Sequence, residues 1–162
     1  MDDIQQFSSL VGSFYDCASE STRWQRTLQA LCDKFQGRLA TLSVYDRQIK
    51  AIRFGAWCGD PEVVLPLVTK YAAHMPLFDA ISRMEVDVPN TLQDLFDLHG
   101  PDGREVYENS ILSKEWAVPH GVSGNIGVTV LKQQSRIGSL VVAIDKHRPP
   151  VSQQDMNFMA LL

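Results

Sequence analysis

The sequence predicts an α+β fold, with an antiparallel sheet of about five strands and helices packed on its faces. Residues 39–57 and residues 124–144 each contain two strand-like apolar runs joined by a short polar segment, a pattern typical of β-hairpins. Segments with helical periodicity precede, separate and follow these two hairpins. Paired strands at both ends of a chain, with helices inserted between them, favour the α+β class over an alternating parallel arrangement.

Length and composition indicate one domain, spanning residues 1–162. Hydrophobic content of 44% and charged content of 21% are near globular averages. The net charge of −4 provides no basic surface for nucleic acid. No apolar run approaches 18 residues, so we expect no contact with a membrane and a cytoplasmic location. Cys17, Cys32 and Cys58 are odd in number and widely spaced, which favours reduced thiols.

Two amphipathic helices are predicted at the start of the chain. Residues 3–18 place apolar side chains at spacings of three and four, which forms one apolar stripe. The polar residues 19–22 supply good N-cap chemistry, and residues 24–35 then repeat the helical spacing. Gly37 is a plausible C-cap for this second helix.

The first hairpin and the helix after it are predicted from alternation and capping residues. Residues 39–57 alternate as two strands around a turn at 46–48. Asp60 is placed to act as N-cap, with Pro61 in the first helical position. Because Pro66 lies inside the helical pattern, we expect the helix to begin late or to kink.

Short elements fill the rest of the chain. We predict a turn or helix at 75–79, a strand at 86–88, helices at 91–98 and 104–113, and a hairpin with a five-residue loop at 132–136. Ser152 is placed to cap a final helix. The chain ends inside this apolar helix, at Leu161 and Leu162, which predicts an excised domain whose last helix continues into another module.

Aromatic residues are the best indication of a binding site. Six of them lie on strands or on helices expected to cover the sheet: Tyr45, Phe54, Trp57, Tyr71, Phe78 and Trp116. Ligand pockets are mostly apolar with a few polar groups, which Tyr71, His74 and Asp79 could supply. The predicted ligand contacts are Tyr45, Phe54, Trp57, Tyr71, His74, Phe78 and Asp79. The alternative is that these aromatic rings simply form the core.

Signals for enzymatic chemistry are weak. The sequence has no phosphate-binding loop or nucleophile motif, its four histidines lack metal-ligand spacing, and we expect no cofactor and no metal. Cys58, beside Gly59, leaves a thiol-dependent enzyme as an alternative. Since no basic residue adjoins Cys58 in sequence to lower its pKa, a buried structural thiol is favoured.

Four groups of residues, in their order and spacing, resemble the N-terminal sensor domain of LuxR-type transcriptional regulators over about residues 18–162. The groups are Glu20-Ser21 with Trp24, Leu28 and Leu31; Gly59 to Glu62 with Tyr71, His74 and Asp79; Tyr107 to Asn109 with Trp116, Pro119 and Gly121; and Arg148 to Ser152 with Asp155, Leu161 and Leu162. The sequence departs from that family at Met75 and Ala80. It also lacks the Trp-x-x-x-Tyr pair of lactone receptors before Asp79, which does not favour a lactone ligand.

The resemblance implies a PAS/GAF-like domain that senses an unidentified small molecule. It further implies a homodimer that contacts DNA only through a C-terminal helix-turn-helix outside this chain. Trp116, Pro119 and Gly121 are then structural residues. Helix 3–18 and the final helix are the expected dimer surfaces, because both are terminal and apolar on one side. A ligand-free module for dimerisation or protein interaction remains an alternative.

Overall fold

A five-stranded antiparallel sheet forms the centre of the protein, and the computed structural model describes residues 3–162. The strand order is β2-β1-β5-β4-β3, and every neighbouring pair is antiparallel. The strands are β1 (Gly37–Asp46), β2 (Ala51–Gly59), β3 (Pro89–Thr91), β4 (Val122–Gln133) and β5 (Arg136–Asp145). The α+β prediction with about five strands is confirmed.

Helices cover both faces of this sheet. They are α1 (Asp3–Ser19), α2 (Trp24–Lys34), α3 (Pro61–Thr69), α4 (Phe78–Arg83), α5 (Leu92–His99), α6 (Gly103–Glu108), a π-helix (Leu112–Ala117) and α7 (Gln153–Ala160). Two 3-10 turns, Ser21–Arg23 and Tyr71–His74, precede α2 and follow α3. No helix within residues 3–162 is long and apolar enough to cross a bilayer.

Alternation along the strands gives the sheet two different faces. One face packs against α1, α2 and α7 in a buried core around Phe35, Ile126, Val142 and Phe158. Helices α3 to α6 and the π-helix cover the other face, where their buried side chains form two smaller clusters. The two terminal segments therefore share one side of the sheet, and the inserted helices hold the other.

The end of α2 differs from the prediction. Gln36, and not Gly37, takes the left-handed conformation, with φ of 49°. Gly37 begins β1 instead, where a Cβ atom would lie 2.5 Å from Val142 and 2.9 Å from the Ala143 carbonyl oxygen. The glycine is needed because β1 and β5 approach each other closely there.

Three other boundaries also differ. The main hairpin turns in two residues, Gln134 and Ser135, because both strands extend further than their apolar runs. The edge strand lies at Pro89–Thr91, while Val86 forms only an isolated bridge. Helix α3 begins at Pro61 and runs through Pro66. Because Pro66 has no backbone N–H, the Glu62 carbonyl lacks its hydrogen-bond donor within the helix. Glu62 is exposed, so its carbonyl can bind water instead.

Candidate functional site

A cavity of about 170 Å³ lies between the sheet and the inserted helices. Apolar cavities of about 150 Å³ are large enough to hold a benzene molecule. Its floor consists of side chains from β1, β2, β4 and β5, and its roof comes from α3 to α6, the π-helix and the turns between them. The cavity can therefore enclose a small organic molecule.

Three hydroxyl groups cross the floor of the cavity in a single row. Ser43 on β1 pairs in register with Ser139 on β5, and Ser139 pairs with Thr129 on β4. All three line the cavity, and Thr129 is only 2% exposed. The side-chain hydroxyls of the three residues have no hydrogen-bond partner among residues 3–162. Because all three hydroxyls line the cavity and each can donate and accept, the row can bind a polar group of a ligand.

The lining contains no Asp, Glu, Lys, Arg or His among the described residues. Placing an unpaired charge in such a site costs far more than burying a neutral polar group that finds a hydrogen bond. The uncharged polar groups nearest the floor are the hydroxyl row, Thr41, Asn90 and Asn125. The cavity therefore favours an uncharged portion of a ligand.

Aromatic side chains close two sides of the cavity. Tyr45 lies flat on Phe78, with ring centroids 4.2 Å apart and planes 3° from parallel. Burial, reinforced by the nearby Asp79 carboxylate, raises the pKa of Tyr45. On the opposite side, Trp116 donates a hydrogen bond of 2.8 Å from Nε1 to the Val63 carbonyl oxygen. That bond fixes the π-helix against α3.

Tyr107 lies at one end of the cavity, with its ring centroid 5.5 Å from that of Phe96. Burial raises the pKa of Tyr107 to about 12, so its hydroxyl stays protonated at neutral pH. This hydroxyl can donate a hydrogen bond as well as accept one.

The structure separates the predicted ligand contacts into two groups. Tyr45 and Phe54 line the cavity, and Phe78 supports Tyr45 from behind. The Tyr71 hydroxyl instead meets Lys70 and Glu115 at the surface.

The other three predicted contacts lie apart from the cavity lining. Trp57 is 38% exposed at the edge strand, and His74 and Asp79 are exposed. Ligand contact by any of the predicted residues stays a prediction.

The hydroxyl row and Asn125 were not predicted from the sequence. Alternation along β1 does place Thr41, Ser43 and Tyr45 on one face, which was the available signal. The row exists only because the pairing register brings Ser139 and Thr129 level with Ser43, and the sequence does not show that register.

The three residues interpreted as structural occupy different environments. Trp116 is 4% exposed and also lines the cavity. Gly121 has φ of +70°, and its carbonyl accepts a hydrogen bond from the Lys146 N–H as the chain enters β4. Pro119 is exposed in the turn before Gly121.

Cys58 is buried beside Cys32, and both thiols are free. A hydrogen bond with Cys58, together with burial, raises the pKa of Cys32, and the same hydrogen bond lowers that of Cys58. No basic side chain contributes to the lowered pKa of the Cys58 thiol. Across residues 3–162, no three His, Cys, Asp or Glu side chains form a group that could hold a metal ion.

The fold is that of ligand-binding domains from LuxR-family regulators. One similar structure is the VqsR LBD domain from Pseudomonas aeruginosa, with a TM-score of 0.64 and 11% identity, covering 95% of this chain and 94% of that chain. Another is CepR2 from Burkholderia cenocepacia, described as an N-acylhomoserine lactone dependent LuxR-family transcription factor. Its TM-score is 0.64 and its identity 11%, covering 99% of this chain and 92% of that chain.

At 11% identity these likenesses show the fold alone. No protein-family model matches the sequence, and no curated protein matches it either.

Proposed function

We propose that this protein is a regulatory sensor domain that binds a small molecule in the cavity between the sheet and helices α3 to α6. The observation that carries the proposal is the hydroxyl row on the floor of an enclosure that is mostly apolar and has no charged side chain in its described lining. A cavity of this kind gives shape selection through its apolar walls and orientation through its few polar groups. The likeness of the fold to ligand-binding domains supports the same role.

Ligand binding would act on an attached output domain through α7. Strands β4 and β5 form much of the cavity floor, and β5 leads through residues 146–152 into α7. A ligand that prefers one arrangement of these strands shifts the population of α7 positions. The output would be DNA binding by a C-terminal helix-turn-helix. Residues 1–162 would form the PAS/GAF-like sensor domain of this regulator, which would act as a homodimer in the cytoplasm.

Helix α1 supplies the feature that favours dimerisation. Ile4 and Tyr15 are 73% and 77% exposed, and a spacing of eleven residues places both on one helix face. The sequence predicted an apolar stripe here, and these two members of it do not pack into the core. The same observation supports the second candidate function, a dimerisation module that binds no ligand.

A cavity-filling variant tests the ligand proposal. Val141→Phe places a ring in the cavity from the middle of β5, whereas Val130→Phe places one on the exposed side of β4. We expect a panel of uncharged organic compounds to contain binders that stabilise the wild type by about 2.7 kcal/mol at 100 times their Kd. Thermal melts should show that stabilisation in Val130→Phe and not in Val141→Phe.

The same melts separate the two candidate functions. A folded wild type that no compound in a diverse panel stabilises, and that elutes as a dimer, would favour the ligand-free module. Stabilisation that persists in Val141→Phe would place the binding site somewhere other than the cavity.

A further inference from the structure

A second concavity lies directly beside the cavity. This outer cleft has a volume of about 700 Å³ and lies at the end of the sheet where β4 begins. The cavity and the outer cleft share five lining residues: Leu92, Tyr107, Val122, Gly124 and Asn125. A Cβ atom added at Gly124 would meet nothing within 4 Å, so the space over this residue is open. The two concavities therefore adjoin along these residues.

Asn125 marks the junction with an unsatisfied polar atom. Its side-chain Oδ1 is buried and accepts no hydrogen bond from the described residues. A buried acceptor without a partner costs about 1–3 kcal/mol, which a bound donor group would recover. The ligand at this point should therefore carry an N–H or O–H group.

The outer cleft differs in charge from the cavity. Arg104, Lys146 and Arg148 line the outer cleft, and Glu108 is the one acidic residue in its described lining. In a protein with a net charge of −4, this is a local excess of positive charge.

Lys146 is the cation best placed to receive a ligand. Arg148 is held by Asp155 at 2.7 Å, and Arg104 pairs with Glu108 at 3.5 Å. Lys146 forms no ion pair within the described residues, and its side-chain carbons lie about 3.5 Å from the position of a Cβ on Gly121. An anionic group in the outer cleft would therefore find one uncompensated ammonium group.

We propose that the cavity and the outer cleft form one continuous site for an amphiphilic organic anion. The apolar part of the ligand lies in the cavity, a donor group binds Asn125 Oδ1, and the anionic group lies beside Lys146. This inference rests on the proposed ligand-binding function and adds the chemical class of the ligand.

Three test compounds separate these contacts: 3-hydroxydecanoate, decanoate without the donor, and the uncharged methyl ester of 3-hydroxydecanoate. Calorimetry measures their affinities, and intrinsic tryptophan fluorescence, to which Trp116 in the cavity lining contributes, reports entry. For the wild type we expect 3-hydroxydecanoate to bind about tenfold more tightly than decanoate. Asn125→Leu should reduce that ratio to about one.

Lys146→Gln tests the anionic contact. Because Lys146 is exposed, the loss should be modest, about two- to fivefold for 3-hydroxydecanoate, and smaller at high salt. The methyl ester should bind this variant as it binds the wild type. Equal affinity of acid and ester for the wild type, unchanged in Lys146→Gln, would overturn the inference.

Gly124→Val tests the passage between the two concavities. The new side chain has room and suits a strand, and it should slow or abolish binding of all three compounds. Gly55→Val on the edge strand β2 is the matched control, since its Cβ would make only an ordinary contact, 3.7 Å from Leu42 O. Fast, unaltered binding to Gly124→Val would overturn the shared passage.

These outcomes are distinguishable from failure of the proposed function. Binding of the ester with altered tryptophan fluorescence, but without preference for the acid, refutes the inference and leaves the cavity as a ligand site. Binding of none of the three compounds also overturns the inference, and the wider panel of uncharged compounds then decides the proposed function separately.

Discussion

Replacement of Trp116 tests how the roof of the cavity is held in place. Trp116→Ala removes a side chain that is almost fully buried against Leu39, Val63 and Leu112. Truncation of a buried tryptophan typically costs 3–5 kcal/mol. It also leaves the Val63 carbonyl without its donor, but this carbonyl can gain water through the enlarged cavity. We therefore expect a loss of about 4 kcal/mol in the free energy of unfolding.

Trp116→Phe separates packing from hydrogen bonding. Phenylalanine keeps most of the ring but cannot donate to the Val63 carbonyl, so the expected loss is about 1–2 kcal/mol. Trp57→Ala is the matched control. This tryptophan is partly exposed at the sheet edge, so its replacement should lower the free energy of unfolding by less. Urea denaturation followed by circular dichroism measures all three. A loss below 1 kcal/mol for Trp116→Ala, or equal losses at positions 116 and 57, would refute the reasoning.

The other predictions concern hydroxyls, capping and thiols. Thr129→Val should leave the melting temperature unchanged or raised. Thr27→Val should lower the free energy of unfolding by about 1 kcal/mol. The two differ because only the Thr27 hydroxyl has a protein partner, the Cys17 thiol at 3.2 Å. Equal losses would show that Thr129 is bonded within the protein. Burial opposes ionisation of Asp155, but hydrogen bonds from Ser152 and the guanidinium of Arg148 outweigh it and lower the pKa of Asp155. Its stabilising effect is thus present above the unfolded pKa of about 3.9 and lost as the pH falls through the lowered value. Asp155→Ala should lower the free energy of unfolding by about 1–2 kcal/mol at pH 7 and by little in acid. At pH 7 the loss should exceed that of Asp94→Ala, which removes an equivalent capping box that has no arginine beside it. A penalty independent of pH would contradict this. Finally, all three thiols are buried, so Ellman's reagent should label them only after unfolding in urea, and rapid labelling of the folded protein would revive the thiol-enzyme alternative.

Local sequence signals predicted much of the fold. Periodicity over residues 3–18 and alternation over residues 39–57 predicted the first helix and the first hairpin. Ser152 and Asp60 were recognised as N-caps because their side chains bond to backbone groups two or three residues away. Such interactions form between near neighbours in the chain, so they can be inferred without knowing the fold.

The sequence was less informative where an element depends on a distant strand. Gly37 looked like a helix C-cap, but contact with Val142 and Ala143 across more than a hundred residues determines its role. The predicted strand at 86–88 lies three residues before the observed one, which forms where Pro89 to Thr91 pair with β4. Strand pairing overrides local propensity in both cases.

The sequence by itself determined that this protein has a sheet with apolar and polar alternation, aromatic residues around it, and no charged motif typical of catalysis. Only the tertiary structure decided which of those residues meet. The pairing register aligns Ser43, Ser139 and Thr129 on the cavity floor and places Asn125 at the junction with the outer cleft. His74 and Asp79, equally plausible in sequence, are exposed and do not line the cavity. The reason is physical: local patterning sets which way a side chain faces along its own element, whereas strand register and helix docking set what it faces across the protein.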